Sequence, residues 1–245
     1  MKKISLTLAT AGMFILGSAS ASAAVLQEEA AASKGFTQVL KEQFIQGGPA
    51  FMGIVLLCLI LGLAVAIERI IYLNMATTNT AALKESVEAA LASGGIEEAK
   101  NVCRETAGPV ASIYYQGLER SGEGLEAAEK AVVSYGGVQM GQLEKNVSWL
   151  SLFIAIAPML GFMGTVIGMI QAFQKIAAVG NLSASLIAGD IQVALLTTVF
   201  GLITAIILQI FYNYVVSKVD GLVNEMEDAS ISLVDMMLKH KIAKS

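Results

Sequence analysis

The chain has 245 residues, a net charge of −4, 55% hydrophobic residues and 15% charged ones. A soluble domain carries about a quarter charged residues, so an ordinary soluble globule is excluded, and with no basic stripe so is a nucleic-acid-binding domain. One histidine and two isolated cysteines, Cys58 and Cys103, leave no ligand set for a metal, a haem or a disulfide framework, so no metal site and no cofactor is expected.

Residues 1–23 read as a secretory signal peptide. Lys2 and Lys3 form its basic start, a short apolar stretch follows, and Ala21-Ser22-Ala23 fits the cleavage site, so the mature chain is expected to begin at Ala24. Residues 24–48 form an N-terminal segment with Phe36, Val39, Leu40 and Phe44 on one helical face, suited to lying on the outer membrane surface. Gly47-Gly48-Pro49 breaks it and opens a first transmembrane helix over 49–73. Its charge-free stretch ends at Glu68 and Arg69, membrane-interface residues, with Arg69 able to snorkel to the headgroups.

Residues 74–146 hold six Lys or Arg and ten Glu, and their patterning predicts a domain of helices over about 79–93, 95–106, 109–120 and 123–146. The last is expected to run into the second span without a break. Transmembrane helices are expected over 147–175 and 190–217, joined by a loop over 176–189, and a helical tail follows over 218–245. The tail's apolar stripe, which includes Leu222, Met226, Leu233 and Met237, offers a face on which tails of different subunits could pack. The fold class is therefore all-α, an integral membrane protein with three long transmembrane helices and a helical domain. Lys and Arg concentrate in 74–146 and the tail, whereas the 176–189 loop has none, so the domain and tail are expected in the cytoplasm and the N-terminus and loop outside.

Residues 146–174 and 191–217 contain no Asp, Glu, Lys, Arg or His. The chain thus has no proton-binding group of its own within these spans, and no nucleophile–base pair or metal ligand set that would make it an enzyme. The second span carries Pro158, Gly161, Gly164, Thr165 and Gly168; the third carries Thr197, Thr198, Gly201 and Thr204. Pro158 and the four glycines are assigned to helix packing, since small residues let helices approach closely. The threonines Thr165, Thr197, Thr198 and Thr204 are candidates for an ion pathway. For Thr165 a second reading stands beside it, a hydroxyl bonded to the preceding turn.

The run Ala157-Pro158-x-x-Gly161-x-x-Gly164-Thr165-Val166-x-Gly168 resembles the second-span motif of the MotA/TolQ/ExbB proton channel family. Ala194-Leu195-Leu196-Thr197-Thr198-Val199-x-Gly201-Leu202 resembles its third-span motif, and Gly47-Gly48-Pro49 with Ile67-Glu68-Arg69 resembles the first span of the ExbB/TolQ branch. The resemblance implies a homopentamer in the bacterial inner membrane around an ExbD/TolR-type single-span partner, which supplies an aspartate within the bilayer. It implies a motor driven by the proton-motive force that energises outer-membrane transport, with a TonB-type protein as a further partner. A TolQ-like role in envelope integrity and a sodium-driven version are the nearest alternatives, and a non-conducting membrane scaffold is the reading from a different class. Three positions depart from the family pattern: Val193 stands where a glutamate is frequent, Ile206-Ile207 where a proline is common, and Thr197 where alanine is usual. The extra hydroxyl of Thr197 is similar to sodium-driven relatives and leaves the coupling ion open.

Overall fold

The computed structural model describes residues 35–180 and 183–240. The expected signal peptide and cleavage point at Ala24, and the tail's last five residues, lie outside them. The described elements are α1 (Phe36–Gln46), α2 (Pro49–Ala76), α3 (Thr80–Ser93), α4 (Gly95–Glu105), α5 (Pro109–Arg120), a 3-10 turn (Ser121–Glu123), α6 (Leu125–Leu143), α7 (Val147–Val179) and α8 (Ala184–Lys239). No strand occurs among the described residues.

Among the described residues, three helices are long and apolar enough to cross a membrane. At 1.5 Å per residue, the 28 residues of α2 and 33 of α7 reach about 42 and 50 Å, beyond the ~30 Å of a hydrocarbon core. The 56 residues of α8 reach about 84 Å, so one continuous helix supplies both the third span and the tail. Pro49 starts α2, where its missing N–H costs nothing, and Gly48 before it takes φ 85°, open to glycine at little cost.

The spans form a three-helix unit in which α7 and α8 make the most extensive pairing and α2 packs on both. Below it, the larger core of the molecule gathers Leu73 from α2, Val87 from α3, Ile113, Tyr114 and Leu118 from α5, Val132 and Leu143 from α6, and a long stripe of α8. That stripe includes Leu222, Met226, Leu233 and Met237, all buried against the helices of the same chain. The expected packing between tails of different subunits is therefore corrected: these apolar groups are consumed at home, because a continuous α8 lays them directly over α3, α5 and α6.

Two junctions also differ from expectation. The 123–146 helix does not continue unbroken into the second span: α6 ends at Leu143, and Asn146 adopts a left-handed φ of 65° before α7 begins. Asparagine tolerates that conformation better than most residues, which is why the break falls there. At the other end, helix extends into the expected 176–189 loop from both sides, through Val179 and from Ala184, and Gly180 closes α7 in the left-handed conformation, donating its N–H to Ile176 O at 2.9 Å.

Candidate functional site

The glycines of the second span face the third span of the same chain. A Cβ on Gly161 would stand 2.9 Å from Thr197 O and 3.0 Å from Thr198 Cα; one on Gly168 would stand 2.8 Å from Ala194 Cβ and 2.9 Å from Asp190 O. Gly164 lies directly against the Thr197 side chain. From the other helix, Gly201 would place a Cβ 2.6 Å from Ala157 O. These residues set how closely α7 and α8 approach, and the seam is within one chain. Pro158 sits inside α7, beside this seam, and removes one backbone donor.

The close approach brings the threonines of α8 to a backbone carbonyl of α7. Thr198 Oγ1 donates to Gly161 O at 3.0 Å, across the helix–helix contact. Thr197 Oγ1 donates to Ala194 O at 2.7 Å, with Gly161 O 3.4 Å away. Gly161 O is also the carbonyl that α-helical geometry pairs with the N–H of Thr165. Thr165 and Thr198 therefore lie at one level of the two helices. Thr165 Oγ1 turns back to Phe162 O at 2.6 Å, the local hydroxyl bond that threonines commonly make in helices.

The four threonines do not share one environment. Thr197 and Thr204 are 1% and 4% exposed, enclosed between helices of this chain. Thr165 and Thr198 are half-buried, at the rim of the α7–α8 seam. Thr197 also lines a cavity of about 340 Å³ with Gln171 and the turn at Gly47 and Gly48, at the meeting of the three spans. Around that level the described spans offer hydroxyls, amides and carbonyls, and no ionisable side chain.

At the end of the seam nearest the α7–α8 turn, Lys175 Nζ pairs with Asp190 Oδ1 at 2.7 Å. Asp190 is 9% exposed and its Oδ2 is buried without a hydrogen-bond partner. Sequence reasoning used these two charges only as span markers; opposite signs flanking a short turn between helices were the available signal. Nearby, Gln192 Nε2 donates to Gln46 Oε1 at 2.9 Å and ties α8 to the end of α1.

The opposite end of α2 departs from expectation. Arg69 does not snorkel: it is 3% exposed. Its Nε and Nη2 donate to both oxygens of Glu68, at 2.8 and 2.6 Å, and Nη1 donates to Gln142 O at 3.3 Å. The guanidinium also lies over the Tyr72 ring, 4.5 Å from its centroid. A planar fork with five donors can serve all these partners at once, so the pair joins α2 to the end of α6 instead of reaching for headgroups. No cluster of metal-ligating side chains occurs among the described residues.

The spacing of glycine, proline and threonine across this seam has a counterpart in known sequences. A profile of the MotA/TolQ/ExbB proton channel family matches residues 105–228, which take in α5, α6, α7 and most of α8. The chain belongs to the MotA/TolQ/ExbB proton channel family. An ExbB homolog of biopolymer transport from Methanothermobacter thermautotrophicus is 31% identical over 169 residues, covering 69% of this chain and 60% of that protein. The biopolymer transport protein ExbB of Neisseria meningitidis is 27% identical over 192 residues, covering 71% of this chain and 86% of that one. A shorter match, 36% over 69 residues, links the chain to biopolymer transport protein exbB1 of Vibrio cholerae. These relatives favour the ExbB/TolQ branch. The matched region includes both threonine-bearing spans and the helices that anchor them.

Proposed function

We propose that the chain is the ion-conducting subunit of an ExbB-like inner-membrane motor. Several copies, a pentamer in this reading, surround a single-span ExbD/TolR-type partner, and its membrane aspartate takes up and releases the coupled ion. The motor draws on the proton-motive force and energises outer-membrane transport through a TonB-type protein. The N-terminus lies in the periplasm and the C-terminal tail in the cytoplasm. The chain itself performs no covalent chemistry in this scheme; its threonines govern solvation.

The observation that carries the reading is the pair of half-buried hydroxyls, Thr165 and Thr198, level with one another on the rim of the charge-free stretch of the α7–α8 seam. A carboxylate cannot stay ionised in hydrocarbon without partners, because isolated burial of a charge is very costly. Hydroxyls with water beside them lower that cost enough for a partner's carboxylate to bind and release a cation. Thr197 and Thr204 act one layer behind, inside the subunit. The proton is the coupling ion in this reading: Thr197, the extra hydroxyl, is enclosed within the chain and engaged with Ala194 O, which supports a packing role over a sodium site.

Thr198→Val keeps the side-chain shape and deletes the hydroxyl. Assembly should survive while ion-driven transport falls steeply, and Thr165→Val should act in the same direction. Full transport in the double variant would remove the hydroxyl-lined path. Co-purification from native membranes should recover a single-span protein with an aspartate in its span; recovery of the oligomer alone would favour the scaffold. Transport that stops on sodium withdrawal would reassign the ion.

A further inference from the structure

A second, larger cavity lies away from the glycine seam. It holds about 580 Å³ between α1, α2 and α8, within the ~300–1,000 Å³ of small-ligand sites. One face of α1 (Leu40, Lys41 and Phe44) closes it from one side, Val55 and Leu59 of α2 and Ile203 of α8 from the others. Phe44 is fixed there by an edge-on contact with Phe200, ring centroids 6.4 Å apart. The walls are almost wholly apolar, and Lys41 is the one charged side chain among them. Lys41 is exposed, so its ammonium reaches solvent while its stem follows the apolar wall.

The placement decides the occupant. Val55, Leu59 and Ile203 belong to the charge-free runs of two spanning helices, so the cavity opens among hydrocarbon and has too few polar partners to hold water. A space that is apolar along its length and cationic at one rim matches an acyl chain with an anionic head. We infer that α1, α2 and α8 form a binding site for one anionic phospholipid, with an acyl chain between Phe44, Leu59 and Ile203 and the phosphate at Lys41. The site rests on the membrane placement of α2 and α8 and is independent of the ion path. It gives α1 a role: the amphipathic helix clasps a lipid against the spans instead of only resting on the bilayer.

The test is native mass spectrometry of the full chain extracted from vesicles of phosphatidylglycerol and phosphatidylethanolamine. One retained phospholipid per chain is expected, with phosphatidylglycerol enriched. Lys41→Gln should cut that enrichment about fivefold, the factor equivalent to the ~1 kcal/mol that one lysine contributes near an anionic surface. Ile203→Trp should fill the cavity and abolish retention at unchanged helix content. Should that variant not fold, the wild-type chain decides: phosphatidylglycerol with a photoreactive tail should label α1 and the facing residues of α2 and α8. Retention of a free fatty acid, enrichment unaltered by Lys41→Gln, labelling confined to other surfaces, or capture of a polypeptide by a photoreactive residue at Leu40 would each overturn the site.

Discussion

Tyr114 buries a phenol whose hydroxyl has no hydrogen-bond partner, at the centre of the helical domain and with no measurable exposure. Burial pushes its ionisation up to about 12, with the Cys103 thiol beside it adding to the shift. An unsatisfied buried donor costs its full desolvation, so Tyr114→Phe should stabilise the chain by about 1 kcal/mol, read as a rise in the thermal midpoint in detergent. A fall would mean that the hydroxyl finds a water or a partner in the assembled protein. Cys103 is likewise pushed up to about 12 by burial alone. An unfolded thiol ionises near ~8.5, so between that value and about 12 the unfolded chain loses a proton that the folded chain keeps. The stability from the neutral thiol is complete below ~8.5 and falls as pH rises, by up to ~1.4 kcal/mol per pH unit for one proton. Cys103→Ala should remove the part of the alkaline loss that begins near ~8.5. Alkylation of Cys103 should be slow while the fold persists and rapid after unfolding; fast labelling of the folded chain would show that α4 opens locally.

At the scale of the element, the same residue type serves opposite ends. Gly164 lies against Thr197, so Gly164→Leu should force α7 and α8 of one chain apart, costing ~1–3 kcal/mol or more. The loss should appear in the isolated chain before any effect on assembly. A Cβ at Gly136 in α6 meets nothing within 4 Å, so Gly136→Ala should raise helix stability by roughly 0.5–1 kcal/mol. Impaired assembly with that variant would show that another subunit approaches there. Sequence patterning separated these classes only in part. The glycines of α7 were legible as a packing face from their helical spacing, but the partner was not, since spacing alone cannot say whether the neighbour belongs to the same chain. The break before α7 was also hidden, because it depends on a single asparagine in a run that otherwise reads as helix. Asn146→Gly keeps the left-handed backbone accessible, whereas Asn146→Val must adopt it at ~1–2 kcal/mol. The valine variant should therefore be the less stable of the two in thermal unfolding; equal stability would mean that α6 and α7 can straighten into one helix.

For the whole molecule, continuity of α8 turns local evidence into a statement about sides. The helix begins beside the Lys175–Asp190 pair and ends where Lys239 Nζ meets Glu88 Oε1 of α3 at 2.5 Å. Its 56 residues extend about 84 Å, far more than the ~30 Å of a hydrocarbon core, so a membrane-spanning α8 would place its two ends on opposite sides. The ion pair and the shared core also fix α3, α5, α6 and the tail on one side together. Three helices long and apolar enough to cross a membrane were legible in the sequence, because absence of charge over long runs is a strong signal. It missed the ties between α2 and α6 at Arg69, because a buried arginine and a snorkelling one look identical in one dimension. In the proposed topology the helical domain and tail face the cytoplasm, because they carry most of the Lys and Arg of residues 24–245 and such segments stay inside. A cysteine at Ser183, at the α7–α8 turn, should then react with an impermeant maleimide in intact cells. One at Gly122, beside α5, should react only after the membrane is opened, and a reporter fused after the tail should be active in the cytoplasm. Both background cysteines are buried and do not compete. Labelling of Ser183→Cys only from the inner side, with Gly122→Cys accessible from outside, would invert the topology. Labelling of both from one side would break the three-span arrangement itself, since α7 would then fail to cross.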